Sequence, residues 1–234
     1  MSRKLKNNKG KKGVHLLAHN SPNTPISEQY RLIRSNIQFS SVDREIKTIV
    51  VTSSDPNEGK STTAANLATV LAQLSKKVIL VDVDLRKPTV HYTFNVSNLD
   101  GLTSVLKKEI SLDLAIVKTH VPYLDILTCG PIPPNPSELL NSKALEIVIE
   151  ELKAEYDYIV FDTPPVLAVT DSQIMASKAD GVVLVVASGK THKDRAMKTR
   201  DLLETARAKI IGVVVNRVKP TKGRYNYQYG EFNS

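Results

Sequence analysis

The sequence predicts an α/β protein built on a doubly wound, mainly parallel sheet flanked by helices. Short β-branched runs alternate with helical patterns along most of the 234 residues, the order that βαβ units produce. The runs are continuously apolar rather than alternating, as strands covered on both faces are. The chain is also long enough to bury a substantial core as one large domain.

The first element is a helix from about Pro25 to Ser40, where Ile26, Tyr30, Ile33 and Ile37 share one face. Strands follow at Thr48–Ser53, Val78–Asp82, Leu124–Thr128, Tyr158–Asp162, Val182–Ala187 and Ile210–Val215. Helical patterns lie between them at Lys60–Leu74, Gly101–Lys107, Pro136–Glu155, Asp171–Lys178 and Lys193–Ala208. Pro136 after Asn135 is a sound helix start, and Thr170 and Thr191 are candidate N-caps. There is no internal repeat.

Composition excludes several classes. An apolar fraction of 41% and a charged fraction of 24% are inconsistent with a disordered chain. The single cysteine, Cys129, excludes a disulfide scaffold and a multi-cysteine metal site. The longest apolar stretches fall far short of the roughly 18–20 residues of a membrane span. No apolar segment follows the basic N-terminus, so a secretory signal is not expected and an intracellular protein is.

The net charge of +8 suggests nucleic acid until it is divided along the chain. Residues 1–19 hold six basic side chains and no acid, and residues 219–234 hold Lys219, Lys222 and Arg224 against Glu231. The remaining 199 residues carry 23 basic and 23 acidic side chains. A nucleic-acid-binding domain shows a basic face, whereas here the excess sits in two tails, which argues against a nucleic-acid partner. A basic arm over 1–19 touches anionic lipid, nucleic acid or an acidic partner, or simply aids solubility. The organisation expected is this arm, a domain over 20–218, and a tail over 219–234.

The segment Ser54-Asp55-Pro56-Asn57-Glu58-Gly59-Lys60-Ser61-Thr62 joins the first sheet strand to a long helix. It carries the Gly-Lys-Ser end of a P-loop in a strand–loop–helix setting. Backbone N–H groups of such a loop converge on an anion. Gly59 permits the close turn, Lys60 reaches the β and γ phosphates, and the Ser61 hydroxyl suits Mg²⁺. The expected first glycine of the motif is Ser54 here. Two strands end in carboxylates, Asp82-Val83-Asp84 and Asp162-Thr163-Pro164, at the sheet edge where open α/β sheets hold ligands. Near Lys60 they can position Mg²⁺ or accept a proton from an attacking hydroxyl. These residues define an ATP–Mg²⁺ site and the fold of a P-loop ATPase of the deviant Walker type.

The P-loop, the Asp82-x-Asp84-x-Arg86 motif and Asp162-x-x-Pro165 together resemble the Walker A, A′ and B set of bacterial tyrosine kinases of capsule and exopolysaccharide operons. Glu28-Gln29-Tyr30-Arg31-x-x-Arg34 resembles the family's E-x-x-R-x-x-R helix, which packs subunits into a ring. Leu85–His91 and Gly130–Leu140 are also typical of the family, and Tyr225-Asn226-Tyr227-Gln228-Tyr229 resembles its C-terminal tyrosine cluster. Many relatives have Gly where Asn57 stands. The resemblance implies that residues 54–62 bind the phosphates with Lys60. It implies that Ser61, Asp82 and Asp162 position Mg²⁺, and that Asp82 activates the tyrosine hydroxyl with help from Asp84. For Arg86 it leaves open a γ-phosphate contact or a structural ion pair, and for Asn216 an adenine contact or a plain turn.

The same resemblance implies autophosphorylation on Tyr225, Tyr227 and Tyr229, a homo-oligomeric ring through Glu28, Arg31 and Arg34, and tyrosine-containing protein substrates. A separate transmembrane activator would act through its cytoplasmic C-terminus, holding a cytoplasmic kinase at the inner face of the plasma membrane. A cognate phosphotyrosine phosphatase and a role in exopolysaccharide synthesis complete the expectation. From Val218 to Tyr229 is 11 residues, at most about 36–40 Å extended, a reach suited to a neighbouring subunit's site. The rival is a partition- or septum-site-type ATPase acting as a nucleotide-dependent switch. Those proteins carry a second lysine five residues before the invariant one, where this chain has Asp55.

Overall fold

The computed structural model describes residues 13–40 and 45–219. Helices α1 (Leu17–Asn20) and α2 (Pro25–Ser40) precede β1 (Thr48–Ser53), α3 (Lys60–Ala72) and β2 (Val78–Asp82). Three short helices follow, α4 (Val90–Phe94), α5 (Leu102–Leu106) and α6 (Leu112–Ala115), then β3 (Ile116–Lys118) and β4 (Leu124–Leu127). The chain continues through α7 (Pro136–Leu140), α8 (Lys143–Glu155), β5 (Tyr158–Asp162), α9 (Asp171–Lys178), β6 (Gly181–Ala187), α10 (Lys193–Thr205) and β7 (Ile210–Asn216). The sheet order is β3-β4-β2-β5-β1-β6-β7. All pairs are parallel except β3 with β4, so the doubly wound, mainly parallel sheet is observed.

The continuous apolar runs are explained by a core on each face. Ile49 and Val51 of β1 join α1–α4, while Val50 joins the layer of α5–α10, because successive strand side chains point to opposite faces. Helix α3 is buried from Thr63 to Ala72, and its alanines at 64, 65, 68 and 72 let it lie close against the sheet. Edge strand β7 is the exception: Val213 and Val215 are exposed.

Several boundaries differ from expectation for identifiable reasons. The pattern over Pro136–Glu155 is two helices, because Ser142 leaves the helical conformation (φ −80°, ψ 154°) and caps α8 by accepting from Leu145 N. Thr170 precedes α9 without a side-chain cap. Thr191 does not cap α10, which starts at Lys193 after His192; its hydroxyl is used elsewhere, as described below. The helices α1, α4 and α6 and strand β3 are too short to show a period.

The expected basic arm also ends earlier than residue 19. Leu16 and Ala18 are buried. Asn66 of α3, itself buried, accepts from Ala18 N (2.9 Å) and donates to His15 O (3.0 Å) and Thr62 O (2.9 Å). Most of the basic residues of the arm, and the tail tyrosines, lie outside the described residues.

Asn66→Ala leaves the buried Ala18 N without its partner and removes the bond to His15 O, which should cost about 1–3 kcal/mol. The expected result is a Tm lowered by several degrees and early proteolytic cleavage within residues 14–20; an unchanged Tm and cleavage pattern would show that α1 is held by its apolar contacts alone.

Candidate functional site

The C-terminal ends of β1, β2, β5 and β7 meet around a cleft of about 630 Å³ whose wall includes Lys60, Ser61, Asp84, Arg86, Pro164 and Arg217. The sequence explains the loop at its floor. Asn57 has φ +61° and Gly59 φ +103°; asparagine and glycine are the residues that take left-handed backbone at least cost. At Gly59 a side chain is also excluded by space, since a Cβ would lie 2.0 Å from Asn216 Nδ2. The conformation at 57 accounts for an Asn standing where relatives have Gly.

Lys60 Nζ lies 3.0 Å from Asp84 Oδ2 and 3.6 Å from Asp162 Oδ1, and 3.2 Å from Ser61 Oγ. Burial opposes its charge, but Asp162 and Asp84 outweigh that and hold its pKa above the ordinary lysine value. Asp162 is fully buried and neither carboxylate oxygen has a hydrogen-bond partner. Burial drives its pKa up against the pull of Lys60. With the Lys60 ammonium 3.6 Å away as its ion-pair partner, the Asp162 carboxylate keeps lone pairs open to a further cation.

Asp82 is placed differently from the expectation. It is fully buried and outside the cleft wall. Its Oδ1 accepts from Asp84 N (3.2 Å) and its Oδ2 from Thr89 N and Val90 N (both 2.9 Å). Burial, reinforced by Asp162, pushes it up to about 7 despite those donors. Asp82 therefore fixes the turn that carries Asp84, and Asp84 is the carboxylate on the cleft wall.

Arg86, on the cleft wall, forms an ion pair. Its Nε and Nη2 lie 2.9 and 3.2 Å from the two oxygens of Asp171, a buried carboxylate that also accepts from the Ser137 hydroxyl at 2.7 Å. Asn216 is likewise occupied. Its Nδ2 donates to Glu58 O (2.9 Å) and its Oδ1 accepts from Arg217 N (2.8 Å), so its amide grips the loop with one of its two N–H donors.

The residues holding the loop from behind were not signalled by the sequence. Ser54, in place of the first glycine, accepts from the Thr199 hydroxyl at 2.8 Å. Asp55 pairs with Arg195, whose Nε is 2.5 Å from Oδ2. The buried Glu58 carboxylate accepts from the Thr191 hydroxyl and from Asp55 N (3.0 Å). Lys190 Nζ donates to Pro56 O (2.9 Å) and Arg217 Nη2 to Asn57 O (2.8 Å). Each partner stands more than 130 residues away in the chain, beyond any local pattern.

Taken together, a hydroxyl, an unsatisfied buried carboxylate and a loop of N–H donors fit a phosphate-bound hard cation. Among the described residues no three His, Cys, Asp or Glu side chains converge to hold a metal by themselves. Fold and site define a nucleotide-binding P-loop ATPase, and the AAA domain model matches residues 46–208.

Comparison narrows the class. The chain is 51% identical over 228 residues to the tyrosine-protein kinase YwqD of Bacillus subtilis (strain 168), spanning 97% of this chain and 96% of that one. The crystal structure of the chimerical protein CapA2B2 is 46% identical, covers 88% of this chain and 90% of its own, and superposes with a TM-score of 0.85. The kinase domain of the Escherichia coli tyrosine kinase ETK is 30% identical, with coverage of 97% and 89% and a TM-score of 0.83. The chain belongs to the bacterial tyrosine-protein kinase family. Among its described residues no helix is long and apolar enough to cross a membrane.

The Asp55 carboxyl is held below its ordinary range chiefly by the Arg195 hydrogen bond, with burial opposing. A folded pKa below the unfolded one contributes stability above the ordinary aspartate pKa, lost as pH falls through the lowered value. Arg195→Ala should therefore flatten the dependence of the urea midpoint on pH between about pH 5 and pH 3; an unchanged slope would remove this pair as its source.

Proposed function

We propose that this chain transfers the γ-phosphoryl group of ATP to tyrosine hydroxyls, its own tail included. The observation that carries the reading is the buried Lys60 ammonium at 3.0 Å from Asp84 and 3.6 Å from Asp162 at the mouth of a P-loop. The names of its relatives support the choice of tyrosine. In this reading the N–H groups of residues 54–62 and Lys60 bind the phosphates. Ser61 and Asp162 hold Mg²⁺, which supplies charge neutralisation for the transferring group. Lys60 turns from Asp84 to the phosphates, which leaves Asp84 at the cleft wall to take the proton of the attacking hydroxyl. A tyrosine of pKa about 10 is protonated at neutral pH and needs that base. Asp82 and Arg86 act as positioning residues.

The switch-type reading gains nothing from the geometry: Asp55, at the position of the extra lysine, is tied to Arg195 and offers no positive charge to a partner's phosphates. Within the kinase reading, Tyr225, Tyr227 and Tyr229 are the autophosphorylation sites and copies assemble into a ring through α2. Exposed Ile26, Leu32 and Phe39 support an interface on that helix. Arg31 pairs with Glu28, whereas Arg34 Nη1 binds Val70 O of α3 at 2.8 Å, so Arg31 is the residue available to a neighbour. A transmembrane activator recruits the kinase to the inner face of the plasma membrane through its cytoplasmic C-terminus, a phosphatase reverses the reaction, and the output is control of exopolysaccharide or capsule synthesis.

Transfer of labelled γ-phosphate with Mg²⁺, read as phosphotyrosine by mass spectrometry with and without the activator's C-terminal segment, tests the assignment. Wild type should label the tail, while Lys60→Met and Tyr225/227/229→Phe should not. Asp84→Asn should lower kcat by about 10²- to 10³-fold. ATP hydrolysis stimulated by DNA or lipid, with no phosphotyrosine under any condition, would favour the switch. In sedimentation, Arg31→Ala should dissociate the assembly; an unaltered oligomer would remove α2 from the interface.

A further inference from the structure

A second groove, of about 320 Å³, adjoins the nucleotide cleft. The two share Ala168 and Val169 as a common wall, so a chain lying in the groove has its next residues at the cleft. Leu167, Ala168 and Val169 from the loop after β5, and Leu202 of α10, make one side apolar, and Arg195 and Lys198 place two cations on the α10 side. The cations are not equivalent. Arg195 is engaged with Asp55, whereas Lys198 is exposed and makes no ion pair among the described residues. The groove thus pairs one free positive charge with an apolar wall, next to the cleft whose wall includes Asp84, the carboxylate assigned to the acceptor hydroxyl.

The tail has a matching pattern. Beyond Tyr229 it continues Gly230-Glu231-Phe232, and these are the only acid and the only phenylalanine in residues 219–234. We propose that the groove is an acceptor-docking surface for the tail of a second copy of this chain, taking Glu231 at Lys198 and Phe232 at the apolar wall while a tail tyrosine occupies the cleft. The surface selects acceptors with an acid and an aromatic residue two to three positions after the tyrosine. Phe232 supplies apolar burial, and the Lys198–Glu231 pair, lying at a solvent-exposed rim, sets orientation more than affinity. The inference rests on the kinase reading above.

The test mixes full-length chains. An isotopically labelled Lys60→Met copy serves as acceptor, distinguished by mass, and an unlabelled active copy as donor; initial rates of phosphotyrosine formation on the labelled tail are followed with Mg²⁺-ATP. With wild-type donor, Glu231→Lys in the acceptor should lower the rate about three- to tenfold, as should Phe232→Ala. Lys198→Glu in the donor, at an exposed helix position, should do the same to the unmodified tail, and pairing it with the Glu231→Lys acceptor should restore most of the rate. If the Glu231→Lys and Phe232→Ala tails are phosphorylated as fast as the unmodified one, the groove is not the docking surface and the kinase reading stands. Phosphate confined to the active copy would make the occupant the chain's own tail and overturn the second-copy assignment. No phosphotyrosine on either copy, with or without the activator's C-terminal segment, would overturn the kinase reading and this proposal with it.

Discussion

The ammonium of Lys60 lies in a nest of buried acids, with Asp84 and Asp162 at salt-bridge distance and Asp82 close enough to raise its pKa further. Three carboxylates and one lysine at the end of a sheet are electrostatically unbalanced. The surrounding architecture follows from containing that imbalance. Parallel strands β1, β2 and β5 bring the acids and the loop to one edge, and the turn after β2 satisfies Asp82 with three backbone donors. Asp162 is left without a hydrogen bond. A site built this way is most favourable when further positive charge enters it, so the folded protein is already biased toward a cation-bearing phosphate ligand before one arrives.

Holding such a site open requires a stiff loop. The P-loop includes two residues in left-handed backbone, and it is secured by contacts with Thr199, Arg195, Thr191, Lys190, Asn216 and Arg217. All six come from the segments around β6–α10 and the end of β7. Segments of this chain's second half therefore act as a brace for a nine-residue loop of its first half, and Asp55 and Ser54, which depart from the motifs of neighbouring families, are among the points where that brace attaches.

What could be read in advance follows from the range of the interactions. The strand–loop–helix around Lys60 and the Asp-terminated strands are local, and the sheet and cleft were legible from them. The brace was not, because its partners meet only after the chain has wound through most of the sheet. Ser142 was misread as helix interior because an apolar period continues across it; only its backbone angles reveal the break. The strand-end pattern at Asp82 does not distinguish an acid facing the cleft from one turned inward onto Thr89 and Val90. Asn216 and Arg86 each had two readings in the sequence, and each holds a partner, Glu58 or Asp171, that sequence spacing does not supply.

The end of β7 has one further consequence. Asn216 and Arg217 are fastened to the P-loop, so the segment bearing the three tyrosines departs from the rim of its own nucleotide cleft. Eleven residues separate Val218 from Tyr229, at most about 36–40 Å of extended chain. Any assembly in which one copy's tyrosine reaches another's Asp84 is thereby subject to a ruler: departure point and receiving cleft cannot stand farther apart than that length, whatever the number of subunits.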